Sequence, residues 1–181
     1  IRPEVAALLG FALALYGFAL YQRRPFRASL VLGFGISIIF LSNGILSLLS
    51  IFLTALLLLA FKQWRNKRYY LFCFISTIVA LSIISPWVYL LYHSNPEIFF
   101  SWVSKVNSPN SAEFYFYIKN ILWFTWPSLP LFIFVLVKNF NSITKLKKIH
   151  LPLIFSISIL ITLSISGNED QIKLMPLLLP F

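Results

Sequence analysis

Long apolar segments separated by short polar loops run through the whole sequence and constrain its fold more than any other feature. A helix needs roughly 20 apolar residues to cross about 30 Å of hydrocarbon in a membrane. Only 11% of the residues are charged, against about 25% in soluble domains. We therefore predict an all-α, polytopic transmembrane helix bundle that forms one domain, with about six spans and the start of a seventh. The apolar segments are 5–21, 28–41, 45–61, 69–91, 121–137, 151–166 and 174–181.

The positions of the charges predict which loops share a side of the membrane. Three loops carry only basic charges and hold 11 of the 15 Lys and Arg residues: Arg23, Arg24, Arg27, Lys62, Arg65, Lys67, Arg68, Lys138, Lys145, Lys147 and Lys148. The remaining polar segments hold all five acids: Glu4, Glu97, Glu113, Glu169 and Asp170. Because Lys and Arg mark cytoplasmic loops, we place the three basic loops in the cytoplasm, in contact with anionic membrane lipids. This topology accounts for the net charge of +10, so we expect no nucleic-acid partner.

The sequence of segment 28–61 allows two different paths through the membrane. It provides two helical arms that are slightly short for a full crossing, joined at Ser42-Asn43-Gly44, and Asn-Gly is a strong turn signal. The arms form either two short spans or a hairpin that dips partway from the cytoplasm, and both alternatives leave the flanking basic loops on one side. Asn43 is then either a buried turn residue or part of a polar cavity open to the outside, since polar backbone at depth must be covered by protein or water.

The longest external loop, 92–120, alternates aromatic rings with charges. These rings predict either a short amphipathic helix anchored at the membrane interface or the floor of a cleft for a substrate with a sugar and a lipid tail. We expect Pro86 and Pro127 to kink the helices on either side of this loop near their outer ends. His93 and His150 are predicted as interfacial polar residues in loops on opposite sides.

A single lysine, Lys173, precedes the last apolar segment. It is suited either to bind a lipid phosphate as a compact cation or to snorkel toward headgroups. The residues 174–181 would span only about 12 Å as a helix. We therefore expect the sequence to be part of a longer polytopic protein.

Four short motifs, in this order, carry a resemblance to a known family. They are SNG between two short helices, SPWVYLLY, FYFYIKNILWFTWPSLPLF and KLMPLLLP. Their order and sidedness resemble the bacterial polyprenyl-phosphate-dependent glycosyltransferases of the GT-C fold, similar to aminoarabinose transferases and protein O-mannosyltransferases. The resemblance implies a GT-C-like bundle in the bacterial inner membrane. It would transfer a sugar from a polyprenyl-phosphate donor to a lipid, glycan or protein acceptor on the periplasmic face.

The resemblance also implies candidate substrate-binding residues. Lys173 matches the basic residue that precedes the Leu/Pro-rich helix in this family, and Asn43 stands where relatives commonly carry lysine. Lys119 and Trp126 belong to the aromatic motif and are further candidates for donor binding. The catalytic acids of the family lie in its first external loop, which we expect upstream of residue 1, so these 181 residues are expected to be inactive alone. No metal-ligand spacing is present, although a divalent ion would serve to stabilise the released lipid phosphate.

Two other classes of function compete with the transferase. A transporter or flippase component for lipid-linked sugars would carry repeated halves and polar residues at the middle of the membrane, and the sequence shows neither. A non-enzymatic membrane scaffold is compatible with the composition.

Overall fold

The computed structural model describes residues 3–62, 64–107, 147–166, 175–177 and 179–180. Within these ranges the chain forms helices and turns and no β-strand, which confirms the all-α prediction there. The predicted span 121–137 lies outside the described residues. The helices are α1 (Pro3–Leu20), α2 (Pro25–Leu59), α3 (Lys67–Ser94), α4 (Pro96–Asn107) and α5 (Lys147–Ser166).

The helices α1, α2 and α3 are long and apolar enough to cross a membrane. Their surfaces are as apolar as their interiors, since Leu9, Phe52 and Phe74 are each more than half exposed. A protein in water rarely leaves such extended apolar faces uncovered. The described helices therefore have the composition and the surface of a membrane protein.

Helices α1 and α2 pack closely and run antiparallel. A Cβ built on Gly35 would lie 2.8 Å from the carbonyl oxygen of Gly10 and 2.9 Å from the nitrogen of Ala14. Further along α1, Gly17 faces Leu32 in the same way. Because the α2 residue numbers fall as the α1 numbers rise, the two helices have opposite directions, and glycine lets their backbones touch.

Helix α2 reverses direction at Gly44. Gly44 has φ 72° and ψ −160° inside the helical segment, a backbone conformation that is essentially restricted to glycine. A straight helix of these 35 residues would separate its ends by about 50 Å, yet Pro25 and Trp64, which flank the segment, line one pocket. The predicted turn at Asn43-Gly44 is therefore present, and α2 is a helical hairpin with a first arm of residues 25–43 and a second arm of residues 45–59.

Helix α3 packs parallel to the first arm. Gly33 faces Val79, and the Ser37 hydroxyl lies 3.5 Å from the carbonyl oxygen of Ala80. The chain must return to its starting end between two parallel helices, and the second arm makes that return. At the end of this arm the Tyr69 hydroxyl donates a 3.0 Å hydrogen bond to the Ala55 carbonyl.

Helix α5 begins at the same end of the bundle as α3. The His150 ring stacks on Phe61 at 4.1 Å, and further along α5 Phe155 meets Phe11 edge-on. The described residues that adjoin the three basic loops thus lie at one end of the bundle, which we call the basic end. The opposite end, which contains Gly44, is called the turn end.

Two predictions about secondary structure need correction. His93 and His150 were expected in loops, but His93 lies in the last turn of α3 and His150 near the start of α5. His150 is only 2% exposed, because the aromatic face of Phe61 covers it. Helix α3 contains Pro86 and continues to Ser94, and the predicted kink at Pro86 stays a prediction.

Hydroxyl side chains inside the apolar helices bond to their own helix. Ser76 donates to the carbonyl of Phe72 at 2.8 Å, and Thr54 donates to the carbonyl of Ser50 at 2.7 Å. Each hydroxyl thus donates its hydrogen bond to a carbonyl one helical turn earlier, so it can be buried without a polar partner on another helix. Beyond α5, residues 175–177 form a short 3-10 turn, and Leu177 is fully buried in the core.

Candidate functional site

The reversal of α2 brings Asn43 to the turn end of the bundle. Asn43 is half-buried and directly precedes Gly44, whose positive φ ends the first arm. The α1 residue Gly10 faces Ile39, so the antiparallel pairing continues to the start of α1 at about the level of the turn. The first arm is about 28 Å long at 1.5 Å per residue, close to the thickness of the hydrocarbon core.

Helix α4 folds back over the turn end through Trp102. Its indole ring meets Phe40 of the first arm at 5.6 Å and Trp87 of α3 at 5.4 Å, in both cases edge-on. All three rings are half-buried, so each keeps an accessible face. We call these three residues the Trp102 cluster. This cluster joins α2, α3 and α4 at the turn end.

A second group of rings connects the last turn of α3 with α4. Tyr92 meets Phe99 edge-on at 5.6 Å and Phe100 at 6.5 Å, while His93 packs on Tyr89 at 4.5 Å. Tyr89 and Phe100 are more than 60% exposed. Within the predicted loop 92–120, residues 92–94 form the last turn of α3 and Pro96–Asn107 form the short helix α4.

The sequence-predicted site residues are only partly described. Asn43 lies at the turn end, as predicted for a turn residue. The other three candidates, Lys119, Trp126 and Lys173, lie outside the described residues. Trp102 was not selected from the sequence, because one ring among many in an interfacial loop carries no sign of its partners on other helices.

The basic end contains a pocket that the sequence did not reveal. It has a volume of about 320 Å³. It is lined by residues of two connecting loops and of the first turns of α2 and α3: Tyr21, Gln22, Arg23, Pro25, Trp64, Asn66 and Arg68.

Two aromatic rings hold the two loops of this pocket together. Trp64 stacks on Tyr21 with ring centroids 5.8 Å apart, and Trp64 is only 2% exposed. Burial raises the pKa of Tyr21, the Cys73 thiol adds to the rise, and the Arg68 guanidinium opposes it. The Tyr21 hydroxyl is therefore a neutral group at pH 7, with the positive charge of Arg68 close by.

No group of three or more His, Cys, Asp or Glu side chains that could hold a metal ion occurs in the part of the chain that the structure describes. No family model, curated protein or solved structure matches the chain.

Proposed function

We propose that the protein is a membrane glycosyltransferase that takes a sugar from a polyprenyl-phosphate donor and works at the turn end of the bundle. One observation carries this proposal. Trp102 of α4 contacts Trp87, which belongs to the SPWVYLLY motif, and Phe40, which lies two residues before the SNG turn. Two of the four motifs that carry the resemblance to GT-C glycosyltransferases therefore lie close together at the turn end.

The chemistry of the turn end suits such a donor. A polyprenyl phosphate brings its anionic head to the membrane interface while its tail stays in lipid. Exposed rings of α3 and α4 offer apolar surface with polar edges, and the Asn43 amide offers two N–H donors. Lys173, with Lys119 and Trp126, completes the proposed donor site. A cation there would stabilise the lipid phosphate as it leaves the sugar.

The proposal includes an orientation of the chain in the membrane. We assign the basic end to the cytoplasm, since loops rich in Lys and Arg are retained there, and the turn end to the periplasmic face of a bacterial inner membrane. A transferase oriented in this way meets its lipid-linked donor and its lipid, glycan or protein acceptor outside the cytoplasm.

The test is a transfer assay in membranes that contain the full-length protein, with a radiolabelled sugar on polyprenyl phosphate. We expect transfer above that of membranes without the protein. We expect Lys173→Ala to lower kcat/KM for the donor about tenfold or more, the scale of one lost hydrogen bond between charged groups. Lys62→Ala removes an exposed cation at the basic end and serves as the matched control, with unchanged transfer.

The outcomes separate the three classes of function. Absence of transfer from any polyprenyl-linked sugar would contradict the enzyme. Movement of an intact lipid-linked sugar across the membrane, without transfer, would indicate the transporter. Equal losses in Lys173→Ala and Lys62→Ala would remove Lys173 from the donor site.

A further inference from the structure

The pocket at the basic end combines several features that favour an anion. Two of its lining residues, Arg23 and Arg68, carry positive charge, and none of the described residues that line it is acidic. Gln22 and Asn66 add amide groups that can donate hydrogen bonds. A phosphate is the natural partner of guanidinium groups, which bind it with two parallel hydrogen bonds.

Two helices begin at this pocket with their N-termini toward it. Pro25 is the first residue of α2 and Asn66 directly precedes α3, and both line the pocket. Neither helix receives a capping hydrogen bond from the side chain of its preceding residue, Arg24 or Asn66. The first turns of both helices therefore lack a side-chain cap, and the positive ends of two helix dipoles lie at the pocket, where they favour an anion.

Trp64 provides an independent sign of a ligand. Its side chain is 98% buried, and its indole Nε1 makes no hydrogen bond within the part of the chain that the structure describes. A buried N–H donor without an acceptor costs about 1–3 kcal/mol. Trp64 lines the pocket, and its Nε1 has less than 1 Å² of accessible surface, so an acceptor bound in the pocket would reach this donor only after a rotation of the ring.

The position of the pocket, next to the apolar helix surfaces, favours a lipid over a soluble ligand. The apolar surfaces of α2 and α3 start directly beside it, where Phe26 is 65% exposed and Tyr70 is 52% exposed. Tyr is enriched at the boundary between hydrocarbon and headgroups, so we place the pocket close to that boundary. A volume of about 320 Å³ is many times the roughly 30 Å³ share of one water in the liquid, and accommodates a phosphate with an attached glycerol.

We propose that this pocket binds the phosphate of an anionic lipid headgroup from the membrane leaflet at the basic end, with Arg23 and Arg68 as its charged ligands and the Trp64 indole as a buried donor. The bound headgroup links the loop between α1 and α2 to the loop between α2 and α3. It thereby fastens the two ends of the hairpin to each other. This site is separate from the proposed donor site, which lies at the turn end.

The test measures binding of phosphatidylglycerol to the full-length protein in detergent, from the rise in unfolding temperature as the lipid is added. Unfolding is followed by reaction of Cys73, the one cysteine of these 181 residues, with a thiol-reactive dye. We expect Arg23→Gln with Arg68→Gln to weaken the Kd about thirtyfold, given the contribution of each basic residue near anionic lipid. Trp64→Phe keeps the ring stack but loses the N–H, and should weaken the Kd about fivefold.

A matched control removes the same charge elsewhere. Arg27 and Arg65 belong to the same two loops but do not line the pocket, so Arg27→Gln with Arg65→Gln should leave the Kd nearly unchanged. Equal weakening in the two double variants would overturn the pocket, because it would indicate diffuse attraction to the basic surface. Unchanged affinity in Trp64→Phe would contradict the role of the indole.

Two further titrations distinguish the source of the phosphate. Phosphatidylcholine should not raise the unfolding temperature, and equal binding of it would overturn recognition of an anion. Inorganic phosphate and glycerol 3-phosphate should compete only weakly with phosphatidylglycerol. If either displaced the lipid at similar concentration, the ligand would be a soluble phosphate and the lipid assignment would be wrong.

Discussion

Trp64 stacks on Tyr21 with ring planes 22° apart, although the whole 35-residue segment α2 lies between them in the chain. The contact exists because α2 reverses at Gly44 and returns the chain to the end from which it started. The same reversal brings Tyr69 within reach of the second arm, where it bonds to Ala55. The hairpin therefore decides the arrangement of every described helix around it.

Replacing Gly44 with alanine should destabilise the hairpin. Its φ of 72° and ψ of −160° are strained for any residue with a Cβ, and the expected cost is about 1–3 kcal/mol. The unfolding temperature in detergent should fall, as measured by dye labelling of Cys73. The control is Ser42→Ala in the preceding helical turn, where φ is negative and no comparable loss is expected. An unchanged unfolding temperature in Gly44→Ala would contradict the observed turn.

Adding a methyl group at Gly35 should separate α1 from the first arm. The new Cβ would approach the backbones of Gly10 and Ala14 to less than 3 Å, so a helix must move, at a cost of about 1–3 kcal/mol. Gly35→Ala should therefore lower the unfolding temperature. Ala19→Val adds volume at an exposed position of α1 and should have little effect. Similar losses in both variants would argue against close packing at Gly35.

The hydrogen bond from Tyr69 to the Ala55 carbonyl gives a third test. Tyr69→Phe removes the donor but keeps the ring, and should cost about 0.5–1.5 kcal/mol of stability. The neighbouring Tyr70 is 52% exposed, so Tyr70→Phe is the matched control and should leave the free energy of unfolding unchanged. Guanidine or heat unfolding of the purified proteins compares the two. Equal stability of both variants would indicate that the bond contributes nothing.

Cysteine labelling tests whether both borders of the hairpin lie on one side of the membrane. In a Cys73→Ser background, Arg24→Cys and Arg65→Cys should react with a membrane-impermeant maleimide only in inside-out vesicles. Ser104→Cys in α4 should react in intact cells. Reaction of Arg24→Cys and Arg65→Cys from opposite sides would mean that α2 crosses the membrane once, which the stacking of Trp64 on Tyr21 forbids.

Much of the described fold could be predicted from local patterns. Within the described residues, the apolar segments up to residue 91 and the segment 151–166 correspond to helices, and Asn43-Gly44 forms the turn. The described residues next to the three basic loops lie at one end. The pattern did not reveal that His150 would be buried against Phe61 or that Trp64 would be buried at the basic end. Hydropathy along the chain records how much apolar surface a segment has, but not which distant segment will cover it.

The candidate site shows the same division. Asn43 could be placed at a turn from its neighbours alone, since the turn depends on the glycine that follows. The partners of Trp102 could not be predicted, because Phe40 and Trp87 belong to two other helices. The candidates Lys119, Trp126 and Lys173 lie outside the described residues and stay predictions.

The sequence by itself determined that this is a chain of apolar helices whose cations are concentrated in three loops, because composition and charge act locally through burial and solvation. Only the tertiary structure decided that α2 doubles back, that α3 lies parallel to its first arm, and that Arg23, Trp64 and Arg68 line one pocket. These relationships depend on the close approach of backbones at Gly10, Gly33 and Gly35, which requires surfaces from distant parts of the chain to fit together.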